Sequence, residues 1–284
     1  MSTAPIVHPF SGKFVELPWD HVHAYVVELE NSVVVVDTTL ALSSATELRT
    51  MAESFGKPIA AVLLTHGHPD HYVGMAKFSD VPRYSTKGVY DFALREDVAK
   101  AAIAKTLFGD EFPDERVFPD HFVVDQDELT FDGVTFTVTD LGPGESDDDT
   151  MWSFTHDGIV HAFLGDIVSF GCHTFFRDGH TADWLRTLDR LERELPADAR
   201  IYLGHGPVPA PVGVFDWQRQ YIALWRQSVA ALSAVEALEA SRETQERLIA
   251  TMKEYLDSDA TLFLLDYELE HSIPETWKQL RESH

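Results

Sequence analysis

The segment that most restricts how this chain can fold is IAAVLLTHGHPDH, residues 59–71. Its six leading apolar residues suit a buried strand. The seven that follow put His66, His68, Asp70 and His71 in a loop at that strand's C-terminal end, where α/β folds commonly place their chemistry. His66 and His68 are two apart and can turn toward one point, whereas Asp70 and His71 lie a turn further on and can address a second. Two adjacent cation sites are the natural result. Imidazole nitrogen and carboxylate oxygen are ligand types for zinc, with iron or manganese as substitutes.

The flanking sequence supplies a scaffold of alternating strands and helices. His23–Leu29 and Ser32–Thr38 read as an antiparallel strand pair rich in β-branched residues. Ala41–Phe55 has helical spacing and ends at Gly56, a suitable C′ residue. A short helix near His71–Phe78, a strand at Pro82–Ser85 and a helix over Gly88–Leu107 come next. His121–Val124, Glu128–Phe131, Val134–Thr139, Met151–Thr155 and Ile159–Leu164 read as strands, with Asp132-Gly133 and Asp157-Gly158 as hairpin turns. Thr181–Leu195 is an amphipathic helix, Arg200–Leu203 a last strand, and the chain from Asp216 onward is mostly helical. The order is two β-rich halves, each closed by helices.

Composition narrows the partners. A formal net charge of −25 repels nucleic acid and anionic membranes, which need clustered Lys and Arg. A small-molecule substrate is the expected partner. No run of about 18 apolar residues exists, and the start, MSTAPIVHPF, lacks the basic segment and apolar core of a secretory signal. With one cysteine, Cys172, the chain has no intrachain disulfide and suits a reducing compartment. A soluble, cytoplasmic protein is expected.

HxHxDH behind an apolar strand resembles the metallo-β-lactamase-fold hydrolases. SVVVVDTT resembles that family's second strand with its Asp, here Asp37; HAFLGD resembles the strand ending in a bridging carboxylate, here Asp166; IYLGHG resembles the loop carrying the last histidine, here His205. The resemblance covers roughly Val22 to Pro207. It implies a four-layer αβ/βα sandwich and a centre of two divalent metal ions, zinc by preference and manganese or iron as alternatives. By resemblance His66 and His68 bind metal one, Asp70, His71 and His205 bind metal two, and Asp166 bridges them. Asp70 would also orient the nucleophile, and Asp37 would support the ligands from behind.

One ligand departs from the family pattern. The third histidine expected at metal one falls at Glu145, in LGPGES. Glutamate oxygen can ligate zinc at about the same distance as imidazole nitrogen, and a harder ligand shifts preference toward manganese or iron. Glu145 as a metal ligand is the first reading. The other leaves Glu145 in solvent within the acidic run ESDDD and metal one weak or absent. Asp147, Asp148 and Asp149 read as loop surface.

The chain divides, on this reading, into a metallo-β-lactamase-like domain over residues 1–211 and a helical C-terminal cap or extension over 212–284, packed on the same domain. His173 and His180 follow Asp166 closely and are candidates for the substrate pocket or the support of ligands. His21 and His23 flank a strand start and read as structural. Trp217, Tyr221 and Trp225, three or four apart, form a core-facing stripe first and a pocket wall second; these aromatic helices could also bury a homodimer interface. The expected activity is a metal-dependent hydrolase that turns water on a small ester, lactone, thioester or phosphoester. The alternatives are an iron-dependent oxidoreductase or dioxygenase on the same scaffold, and a catalytically degenerate ligand-binding protein.

Overall fold

Runs of β-branched residues make the middle of the first sheet. The computed structural model describes residues 4–14, 17–211, 213–259, 261–267 and 269–282. In it β1 (Ile6–Phe14), β2 (Leu17–Glu28), β3 (Val33–Val36), β4 (Ile59–Leu63), β5 (Arg83–Thr86) and β6 (His121–Val123) lie side by side in that order. β1 to β3 are antiparallel, and β3 to β6 are parallel. β3 is buried at every residue, as a strand covered on both faces requires.

The second sheet holds β7 (Glu128–Phe131), β8 (Val134–Gly142), β9 (Asp149–His156), β10 (Ile159–Phe163) and β11 (Arg200–Tyr202), in the order β11-β10-β9-β8-β7. All its pairs are antiparallel except β10 with β11. Asp132-Gly133 and Asp157-Gly158 turn the two hairpins, each with φ near +49° and +79°, the doubly positive backbone of a type I′ turn.

Helices cover both outer faces. α1 (Leu42–Ser54), the single turn α2 (Pro69–Tyr72) and α3 (Lys87–Phe108) bury Leu48, Tyr72 and Val89 against the first sheet's Val26, Val35 and Val62. α4 (Thr181–Glu194) and the C-terminal helices α5 (Val214–Ala230), α6 (Ala234–Glu239), α7 (Arg242–Tyr255), α8 (Leu262–Asp266) and α9 (Leu269–Glu282) share one core with Ala162 and Leu203 at the second sheet. Between the sheets lie Val34, Val36, Leu63, Phe136, Trp152 and Phe163. The architecture is an αβ/βα sandwich with a helical C-terminal region. Trp217, Tyr221 and Trp225 stack into that core, Trp225 against Phe176 at 4.7 Å and Tyr221 against Trp217 at 5.3 Å. The stripe faces the core, the first of the two roles its spacing suggests. Among the described residues no helix is long and apolar enough to cross a membrane.

β1 has no counterpart in the sequence-based expectation. Pro9, Ser11 and Gly12 break any alternation in IVHPFSGKF, yet Ile6 to Phe14 pair with β2. Its place at the sheet's edge explains the tolerance, since an edge strand can carry a Pro without losing a ladder bond on its free side.

Candidate metal centre

The site forms where four strand ends of the two sheets meet. β4 delivers Thr65 to His71, β3 delivers Asp37, β10 delivers Asp166, β11 delivers His205, and the β8–β9 connection delivers Glu145. The two sheets are tied together there. Trp152 Nε1 of β9 donates to Leu64 O at 2.9 Å, and Thr150 Oγ1 donates to Thr65 O at 2.7 Å. These bonds fix the last residues of β4 against the opposite sheet just where the histidine loop begins.

The loop is held by its own residues too. Pro69 opens α2 at its first position, where its missing N–H costs nothing, so Asp70 and His71 sit on one helical turn behind His68. Gly67 packs so closely on α3 that a Cβ there would meet Ala93 N at 2.8 Å. Gly204 precedes His205 and leaves room for a carboxylate; a Cβ on it would collide with Asp166 Oδ1 and His71.

Asp37 lies behind the histidine loop and hydrogen-bonds to it. It has φ +58°, a left-handed backbone that Asp adopts more readily than most residues. Its Oδ1 accepts from Thr65 N at 2.9 Å, and its Oδ2 accepts from Thr65 Oγ1 at 2.8 Å and His71 Nδ1 at 3.0 Å. Thr65 Oγ1, its proton given to Asp37, accepts from His66 Nδ1 at 3.1 Å. Both rings are thus oriented by Nδ1, and both Nε2 atoms face the interior.

The predicted ligands fall into two groups, each with donor atoms within 4.8 Å of one another: His66, His68 and Glu145 in one, Asp70, His71, Asp166 and His205 in the other. In the first, Glu145 Oε2 lies 2.8 Å from His68 Nδ1 and 3.6 Å from His66 Nε2. Glu145 is 3% exposed and faces the histidines, which corrects the reading that leaves it in solvent. In the second, His71 Nε2 is 3.6 Å from Asp70 Oδ2 and 3.4 Å from Asp166 Oδ1. His205 Nε2 is 3.2 Å from Asp70 Oδ2 and 3.3 Å from Asp166 Oδ2. His66 Nε2, His71 Nε2, Glu145 Oε2 and Asp166 Oδ1 are buried and make no hydrogen bond. Four orphaned polar atoms converging in one place are costly for a fold. A donor set of four imidazoles and three carboxylates suits divalent cations at both points.

Burial opposes charge on His68, His71 and His205, but the facing carboxylates, Glu145 for the first and Asp166 for the other two, hold these imidazoles well above their ordinary pKa, so positive charge is favoured at both donor groups. Burial, then the neighbouring His71, hold the His66 imidazole well below its ordinary pKa, so its nitrogen lone pair is free. Burial opposes charge on Asp166, but His205 and His71 outweigh it and keep the carboxylate ionised. Burial likewise opposes charge on Asp70, where His71 and His205 hold the pKa well down. Burial pushes Glu145 up to about 7, with His68 acting against the rise.

Three placements differ from expectation. His173 donates from Nε2 to Ser258 O at 2.9 Å and accepts at Nδ1 from Tyr221 at 2.7 Å, which ties its loop to the C-terminal helices rather than to the pocket. His180 Nε2 donates to Asp147 Oδ1 at 2.6 Å and does not line the cavity over the donor groups. Asp149, read as loop surface, is 2% exposed, accepts from Ser146 N at 3.0 Å and is raised to about 8 by burial and Glu145. Its oxygens fasten the turn that carries Glu145.

Sequence reasoning passed over Asp178, whose Oδ2 accepts from His68 Nε2 at 2.9 Å and so aims Nδ1 at the donor group. One acid within FFRDGH carried no signal for this. His23 is structural, as expected: its Nε2 donates to Gly206 O at 2.6 Å, bracing the His205 loop. The side chain of His21 lies outside the described residues. A cavity of about 100 Å³ opens over both groups, reaching His68, Asp70, Glu145 and Asp166 at its floor. Its walls come from α3 and from Phe175, Phe263 and Tyr267.

A family model described as the metallo-beta-lactamase superfamily matches residues 17–205. The chain belongs to that superfamily. Solved metallo-beta-lactamase-type structures share its fold: a beta-lactamase domain protein from Burkholderia ambifaria superposes with TM-score 0.67 at 17% identity, covering 97% of this chain and 87% of that one. The metallo-beta-lactamase from Pontibacter korlensis superposes with TM-score 0.61 at 17% identity, covering 78% and 96%. Among curated proteins, the chain is 27% identical over 161 residues to a beta-lactamase-like protein 2 homolog of Caenorhabditis elegans, spanning 57% of this chain and 47% of that protein. It is 25% identical over 198 residues to a hydroxyacylglutathione hydrolase of Methylobacillus flagellatus, spanning 69% and 63%. The chain thus spans about half to three fifths of the length of these curated relatives. Metal binding through His and Asp clusters and hydrolysis as a reaction class are what membership supports.

Proposed function

We propose that this protein is a hydrolase with two divalent cations, zinc by preference, acting on a small ester, lactone, thioester or phosphoester. The observation that carries the reading is the pair of converging donor groups with four buried atoms left without hydrogen bonds. His66 Nε2, His68 Nδ1 and Glu145 Oε2 would hold one cation; Asp70, His71 and His205 would hold the other. Asp166, whose two oxygens face His71 and His205 of the second group, would be shared with the first on the family pattern, and its charge reaches His66 there. Bound cations supply Lewis acidity for a carbonyl and lower the pKa of water.

The chain's own groups do the rest. Asp70, kept ionised by His71 and His205, accepts a hydrogen bond from the attacking water and so directs its lone pair at the carbonyl carbon. Asp37 and Asp178 hold His71 and His68 in the orientation that turns a lone pair inward. The apolar walls exclude competing water. The net charge of −25 argues against nucleic-acid substrates. A lone buried cysteine suits the cytoplasm.

The test is hydrolysis of simple esters and lactones by the zinc-replete chain. Chelation should abolish it, zinc should restore it, and Asp70→Asn should lower kcat about 10²–10⁴-fold. Equal rates with and without chelator would refute the reading. A second reading rests on Glu145: two imidazoles with one carboxylate is a set that iron also favours. Oxygen consumption by the iron-loaded protein, without hydrolysis, would select it.

A further inference from the structure

The cavity over the donor groups carries a charge pattern that narrows the substrate. Ile103 and Leu107 of α3 line it, yet remain 50% and 62% exposed. Phe263 and Tyr267 of the C-terminal region face the same space. Large aliphatic side chains left in water at the rim of a pocket mark a surface that gains by being covered.

Countercharge is lacking. Among the described lining residues the cation is Lys100, and it is committed: its ammonium pairs with buried Glu96 and lies 5.5 Å over the Phe175 ring. The other ionisable groups of the cavity include His68, Asp70, Glu145 and Asp166, which belong to the donor groups. Away from the donor groups, a substrate carboxylate or phosphate held along these walls would meet no uncommitted cation among the described lining residues and a chain of net charge −25.

We propose that the substrate's acyl group is uncharged and apolar, aliphatic or aromatic, and seats between α3 and the Phe263–Tyr267 wall with its carbonyl over the donors. The proposal deepens the hydrolase reading and rests on it. Of the substrate classes above it keeps those whose group along the walls is neutral and apolar, and sets aside those that place a carboxylate there, such as thioesters of carboxylate-bearing peptides. The chemistry balances with water alone: the carbonyl C–O or C–S bond breaks, water oxygen forms the new bond, and water's protons go to the departing alcohol or thiol and to solvent. The product is a carboxylate, whose charge gains nothing from the apolar walls.

The experiment uses the full chain, zinc-replete, with p-nitrophenyl acetate, butanoate, pentanoate and hexanoate, and with mono-p-nitrophenyl glutarate, which is the pentanoate chain ended in a carboxylate. The expected result is a rise in kcat/KM of about fourfold per methylene and a glutarate ester at least tenfold slower than pentanoate. Leu107→Lys, at an exposed position where folding is tolerant, should move the preference toward the glutarate ester. A flat chain-length series, or a glutarate ester as fast as pentanoate, overturns the proposal and leaves the hydrolase reading standing. If no ester turns over, the hydrolase reading is what fails, and calorimetry with uncharged amides then decides the pocket's character. Hexanamide binding more tightly than acetamide supports the apolar pocket, and equal or absent binding overturns it.

Discussion

Replacing Trp152 with phenylalanine tests whether the tie between the sheets is what positions the histidine loop. Trp152 is fully buried between the sheets and donates from Nε1 to Leu64 O at 2.9 Å. Without the indole, Leu64 O retains, among the described residues, the side-chain donor Thr150 Oγ1 at 3.4 Å, a hydroxyl already directed to Thr65 O at 2.7 Å. A buried carbonyl left in that state costs roughly 1–3 kcal/mol, and the smaller ring leaves unfilled space worth about 1 kcal/mol more. The expected loss for Trp152→Phe is about 2–4 kcal/mol, read by urea unfolding of the chelated protein followed by far-ultraviolet circular dichroism, with the slope against urea unchanged. Zinc affinity should weaken as well, because the carbonyls of Leu64 and Thr65 anchor the residue before His66. A loss below about 1 kcal/mol, with zinc affinity intact, would refute the idea that this bond organises the site.

Asp178→Asn should weaken zinc binding roughly 10–100-fold by calorimetry, because His68 Nε2 loses the carboxylate that turns its Nδ1 inward; unchanged affinity would remove Asp178 from the site. His161 is lowered to about 4, first by burial and then by Arg200. The folded chain therefore keeps this imidazole neutral while the unfolded chain protonates it below pH ~6.5, so stability is full above that pH and is lost as pH falls toward 4. Relative to the wild type, His161→Gln should gain stability as pH falls from 7 to 4.5 in paired urea melts, by about 1 kcal/mol once solvent screening of this partly solvated ring is allowed for, and parallel pH profiles would contradict this.

What the sequence disclosed and what it hid follow from how locally each feature is determined. IAAVLLTHGHPDH carries its strand, loop and ligand types within one short segment, so β4 and the positions of His66, His68 and His71 were readable from it. Both Asp-Gly hairpins were readable for the same reason, since doubly positive φ is a local demand. Glu145 was reachable through the family pattern, although its burial against His68 depends on Asp149 fastening the turn, a contact that an acidic run in the sequence conceals. Asp178 is 110 positions from His68, and no periodicity encodes such a meeting. β1 was hidden because its partner, not its own composition, makes it a strand. His173 and His180 lie near Asp166 in sequence, but the chain turns their rings toward Tyr221 and Asp147.

The most direct measurement of the central claim is the number of zinc ions retained per chain after loading and desalting, counted by elemental analysis. The two donor groups predict two ions in the wild type and one in Glu145→Ala. A wild-type chain that retains none would contradict the account, because the converging imidazoles and carboxylates would then have no cation to hold.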